Sequence, residues 1–259
     1  MPTNIPYLRI YELSIINYLK YEILPLYFLE QQTNVPLIEN PDTDVGGYVA
    51  DTKMDPLPTS EGRGWAIFDE ATVAGKQVVD TTGEQSSSIV VNGATSYVID
   101  YLNGAIKNPN TIPTSISYYW NYVSFIASWP GAVPPPLPVI SLDVSESSRS
   151  GFQLGGGSKD VLNCAIYVFA SNEVEKRDIV SVIHDALFSR NVPIRNWHDG
   201  GYLKYDGTFN TGFVPTPVSG LTLGYFTNVE AQLSGFRIDW SEINRHRSKI
   251  TFELEVFRD

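Results

Sequence analysis

Apolar residues recur at helical spacing near the start of the chain: Leu8, Ile10/Tyr11, Ile15, Tyr18/Leu19 and Ile23, with Arg9, Glu12, Asn17 and Lys20 between them. This predicts one long amphipathic helix from Tyr7 to about Glu30, kinked or ended by Pro25, which lacks an amide donor. Residues 33–64 carry prolines, glycines and aspartates at the density of a loop. From Gly64 to Trp129 the texture changes to short runs: Trp65–Phe68, Lys76–Val79, Ser88–Val91, Ser96–Tyr101 and Ser115–Trp129. These are β-prone, and Asn92-Gly93 and Asn103-Gly104 are hairpin signals because both residue types tolerate positive φ.

Pro134-Pro-Pro-Leu-Pro138 is a stiff joint. Beyond it, Val139–Val144 and Val161–Phe169 read as antiparallel strands joined by a turn at Leu154–Gly157. Ser171-Asn172 caps a helix running to about Arg190, with Glu173 and Glu175 favourably placed in its first turn. Val192–Trp197 is a short strand, 199–220 a loop, and two long strands, Leu221 to about Leu233 continuing with Gly235–Trp240, and Ile250–Phe257, close the chain. In the last, Ile250, Phe252, Leu254 and Val256 alternate with polar positions, so one face is core and the other solvent or lumen. Together these elements predict an α+β fold, a mainly antiparallel sheet packed against helices with an inserted small all-β module. The expected division is an N-terminal helix over 1–40, a β module over 41–133 and a C-terminal domain over 134–259.

Composition narrows the function. At 259 residues the chain is long enough to bury a core without metals or disulfides. The lone Cys164 lies in an apolar run and reads as a small buried hydrophobe. A formal charge of -11 disfavours gripping nucleic acid, which requires clustered Lys and Arg, and can make a surface repel DNA moving past it. Charged residues make up 18% of the chain, fewer than usual, which suggests surface covered by neighbours in an assembly. The N-terminus has no signal-peptide pattern, and Leu13–Leu29 is broken by Asn17, Lys20, Glu22 and Pro25, so a soluble protein with no membrane span is expected.

The order of Leu137–Val144, Phe152–Gly157, Ala165–Ala170, Arg177–Leu187, Asn191–Ile194 and Ile250–Phe257 resembles the tail-terminator and tail-completion family of tailed bacteriophages. The resemblance implies a non-enzymatic virion protein of the neck, a ring that is commonly a hexamer at the head-proximal end of the tail. Its partners would be other copies of itself, the tail tube or sheath protein, and the head connector or adaptor. Viral DNA would pass through the lumen without specific binding. No cofactor is implied, and assembly would take place in the bacterial cytoplasm.

Candidate chemistry is sparse. His184 and Asp185 are adjacent on a helix and point apart. His198-Asp199 lacks a second metal ligand at suitable spacing. Leu154–Lys159 lacks the glycine spacing of a nucleotide loop, and no Gly-x-Ser-x-Gly elbow occurs. The readings therefore favour interfaces over catalysis, with no catalytic, cofactor or metal residue expected. The cationic run Arg245, His246, Arg247, Lys249 is either a partner contact or a solvated turn. Tyr119 and Trp120, in the aromatic run from Tyr118 to Tyr122, mark a second candidate interface. They also support an alternative reading, a virion module binding carbohydrate or another tail or baseplate component.

Overall fold

A computed structural model describes residues 7–39, 46–50, 90–100, 105–121, 123–126, 137–153, 156–189, 191–196, 216–221, 223–233 and 246–258. The expected strands at Trp65–Phe68, Lys76–Val79 and Gly235–Trp240, and Arg245, lie outside them. In chain order the elements are helix α1 (Tyr7–Tyr18), then strands β1 (Leu29–Glu39), β2 (Tyr48–Ala50), β3 (Val90–Asn92) and β4 (Val98–Asp100). Next come β5 (Ala105–Lys107), β6 (Ser115–Asn121), β7 (Ser124–Ile126), β8 (Val139–Gln153), β9 (Gly156–Phe169) and helix α2 (Glu173–Ser189). The last are β10 (Asn191–Pro193), β11 (Arg195–Asn196), β12 (Thr216–Pro217), β13 (Leu223–Gln232) and β14 (Arg247–Arg258).

The expected α+β class does not hold. With fourteen strands and two α-helices among the described residues, the protein is mostly antiparallel β. Two segments account for the difference. The helical periodicity at the N-terminus yields α-helix only to Tyr18, followed by a π turn over Leu19–Ile23 and a 3-10 turn over Leu24–Leu26 that contains Pro25. The chain from Leu29 is then a strand, where the sequence pattern predicts the end of the helix and then loop. Further along, the strand that begins at Val139 runs nine residues beyond Val144, to Gln153, through Ser-Glu-Ser-Ser-Arg-Ser-Gly. That stretch shows no alternation because Ser145 to Gly151 are exposed on both faces, and it is held extended by backbone pairing to β9.

The chain forms two compact units, residues 1–27, 123–199 and 215–259, and residues 28–122 and 200–214. The second unit contains a six-stranded sheet in the order β3-β6-β1-β2-β5-β4. β1 sits inside it, between β6 and β2, with a bulge at Asn34 (φ 52°), whose amide donates to Ser117 Oγ at 2.9 Å. The strands on either side of Asn103-Gly104 do pair, Asp100 opposite Ala105. Those on either side of Asn92-Gly93 do not, since β3 pairs with β6 and β4 with β5.

The first unit contains the sheet β10-β13-β14-β9-β8-β7, all antiparallel except the short β7–β8 contact. Its buried face carries Ile140, Leu142, Leu162, Ile166, Val168, Ile250, Phe252, Leu254 and Val256, each under 4% exposed. Removing such side chains from water supplies the main stabilisation, about 2 kcal/mol each. α1 meets this face through Tyr11 and Tyr18, the latter 6.4 Å from the Phe226 ring. α2 contributes Ile179, Val180, Ile183 and Leu187, all buried. Asn172 caps α2 by accepting from the Glu175 amide at 2.9 Å, and Glu175 accepts from the Ser171 amide at 2.7 Å. The first bond satisfies an amide that the helix's first turn leaves open, and the second ties that turn to the residue before the cap.

Candidate interaction surface

The sheet of the first unit has a second face, and pair registers fix which residues share it. Across β13, β14, β9 and β8 the successive rows are Glu230–Thr251–Ala165–Asp143, Thr227–Glu253–Asn163–Glu146 and Tyr225–Glu255–Val161–Ser148. All but Ala165 are half-buried or exposed. Five carboxylates therefore form a band across the middle of this open face: Glu230, Asp143, Glu253, Glu146 and Glu255. Asn163 Nδ2 donates to Glu146 Oε2 at 3.2 Å. Between Glu146, Ser147, Ser148, Val161 and Asn163 lies a shallow depression of about 370 Å³.

Cations and aromatic rings frame the band. At one end Lys159 pairs with Glu255 at 2.7 Å and lies 5.8 Å from the Phe257 ring, which meets Tyr225 edge-on. At the other end stands the predicted cationic run. Arg247 sits 4.6 Å above the Tyr167 ring and 5.4 Å from that of Phe169, and Lys249 is 5.7 Å from Tyr167. His246 Nδ1 lies 3.6 Å from Glu173 Oε2. Arg247 and Lys249 thus lie in the first part of β14, with His246 in the turn just before it, and the two strand cations rest on strand aromatics, an arrangement favoured by the ring quadrupole.

Of the other predicted residues, Tyr119 and Trp120 pair through β6 with Gln31 and Glu30 of β1, and so belong to the second unit. The two groups named from the sequence therefore fall in different units. His184 stacks on Phe188 at 6.1 Å, and its Nδ1 lies 3.7 Å from Asp185 Oδ1 at the helix surface, so the two approach each other despite the divergence expected of adjacent helix positions. Cys164 is buried, and burial pushes its thiol up to about 12, so it is inert as a nucleophile at neutral pH.

The strongest polar cluster was not anticipated. Asp160, 4% exposed, accepts from Arg149 Nε at 2.5 Å and Nη2 at 3.0 Å, and from the Tyr11 hydroxyl at 2.8 Å. Arg258 adds a cation 3.7 Å away and stacks 3.6 Å over the Tyr7 ring. Burial alone would push the Asp160 carboxyl up, but the hydrogen bonds from Arg149 and Tyr11 and the charges of Arg149 and Arg258 hold it below its ordinary value. Burial first, and then the bond to Asp160, raise the Tyr11 phenol. The cluster ties α1 to β8, β9 and β14. Similarly, the buried Lys176 Nζ donates to the Leu233 carbonyl at 3.1 Å and pairs with Glu173 at 2.7 Å, joining α2 to the end of β13.

Among the described residues no group of three or more His, Cys, Asp or Glu side chains is placed to hold a metal ion, and no helix is long and apolar enough to cross a membrane. The chain matches no family model and no curated protein.

Proposed function

We propose that the chain is a structural, non-enzymatic subunit of a tailed-phage particle. It forms a ring at the head–tail junction that caps the tail tube and joins it to the head connector. The observation that carries this reading is the open face of the first unit's sheet, a strand-built surface bearing five carboxylates in three consecutive rows. Turned inward, such a surface repels the phosphate backbone, so DNA slides past without being held. The order of elements from Leu137 to the last strand, by which the sequence resembles tail terminators, supports this position. The chemistry required is geometric: one ring face docks on the last tube ring and the other on the connector.

Location in the particle is the direct test. Gold labelling of an epitope-tagged chain in assembled virions is expected to mark the junction between head and tail. Label at the baseplate or fibres, or virions lacking the chain altogether, would overturn the assignment.

A further inference from the structure

The first unit's sheet ends on two strands that are paired on one side only over most of their length. β7 covers β8 at Val139–Ser141, and β10 covers β13 at Leu223–Tyr225. Among the described residues no strand pairs with the outer side of Leu142–Gln153 or of Phe226–Gln232. Such edges offer unfilled amides and carbonyls to another chain.

Three features make the two edges fit each other. The first is height: through β14 and β9, Gln232 stands level with Ser141 and Phe226 level with Ser147. The free half of β13 therefore matches the stretch of β8 just beyond β7, while β7 and β10 lie at opposite ends and out of each other's way. The second is direction. β13, β14, β9 and β8 alternate strictly, and four is an even number. A copy rotated about an axis along the strands brings its β13 antiparallel to β8 and keeps the same face inward. The third is the apolar layer: on the buried face Val144 at one edge, and Phe226 and Ala231 at the other, are only half-buried, so a neighbouring sheet would complete their burial.

We propose that in the assembled protein Leu142–Ser147 of one copy pairs antiparallel with Phe226–Gln232 of the next, joining the sheets into one closed β-ring with the acidic face inside. This rests on the ring reading above. The contact is head-to-tail, so it closes into a ring or grows as a filament according to the angle between copies. Backbone hydrogen bonds carry the pairing, as in other cases of strand addition. Asp143, Glu146 and Glu230 flank the seam on the inner face, and like charges there weaken it, so ring formation strengthens with added salt.

Copies carrying Ser145→Cys are mixed with copies carrying Asn228→Cys, assembled and mildly oxidised. A second mixture, Asp143→Cys with Gln232→Cys, ensures that a slip in register does not hide the seam. Cross-linking requires Cα atoms to come within about 7 Å, so it reports strand neighbours. The expected result is a covalent species joining the two different variants, together with a ladder up to full ring size when both substitutions share one chain. Val144→Lys, which places a charge at the seam, is expected to lose the ring while retaining the monomer's circular dichroism. Cross-links confined to Ser145→Cys copies would show a two-fold β8–β8 contact and overturn the proposal. Rings without mixed cross-links would overturn the seam and leave the ring standing, whereas absence of rings and cross-links alike would overturn both.

Discussion

Asp160 is buried, yet it stays ionised because three donors converge on it: Tyr11 and the two nitrogens of Arg149. Its pKa lies below the ordinary 3.8, so the unfolded chain takes up the proton first as the pH falls. Its contribution is therefore complete above the ordinary carboxylate range and is lost as the pH drops through the lower, folded value. Asp160→Asn keeps an acceptor for Tyr11 but leaves Arg149 and Arg258 without their counter-charge. Because Arg149 is largely exposed, the loss is about 2 kcal/mol, less than for a fully buried pair. It is measured as a shift in the urea midpoint, and the difference from wild type should shrink below pH 3.8. Lys20 works in the opposite sense. The residue as a whole is half-buried, but burial of its ammonium pushes its pKa down to about 7. Between that value and the ordinary 10.5 the unfolded chain binds more protons, so stability rises with pH across this window. Lys20→Met is expected to raise the melting temperature most at pH 7 and below, with the gain fading towards pH 10. A gain independent of pH would show that the ammonium is not the cause.

The elements that the sequence displayed well are those with one wet and one dry side. In β14 the even positions from Ser248 to Val256 are buried and the odd ones are not, which is the alternation visible in Ile250–Phe257. The cap of α2 was equally legible, because Asn172 and Glu175 stand at the spacing a capping box requires. Asn172→Ala is expected to cost about 1 kcal/mol in thermal or urea unfolding, and Asn172→Ser much less. What stayed hidden depends on partners far away in the chain. β1 has Pro36 and only Val35 and Leu37 as buried alternating residues in its C-terminal half, and its place between β6 and β2 comes from pairing that no local pattern encodes. The polar half of β8 is a strand only because β9 lies beside it. The Asp160 cluster becomes visible once the register sets Arg149 opposite Asp160. Arg247 and Lys249 stand out in the sequence as a cationic run, but their aromatic supports, Tyr167 and Phe169, come from β9.

On the scale of the whole molecule, the protein is mostly antiparallel β rather than α+β, built on sheet faces and edges more than on helices. A net charge of -11 was readable from composition, but that five carboxylates stand together on one sheet face required the register. That distribution predicts how the protein treats DNA. The wild-type chain should not retard duplex DNA in a gel at physiological salt. Replacing Glu230, Glu253 and Glu255 together with lysine should produce retardation that disappears as salt is raised, the signature of phosphate neutralisation. Equal retardation by the wild type would contradict an inward acidic face. The ring itself is the central claim, and mass photometry of the purified full chain across protein and salt concentrations, with electron-microscopic class averages of the same samples and of mixtures with tail-tube and connector proteins, tests it most directly. A single closed species at a fixed multiple of 28.8 kDa, with an open centre, is expected. A chain that stays monomeric under all these conditions, even with both partners present, would contradict it.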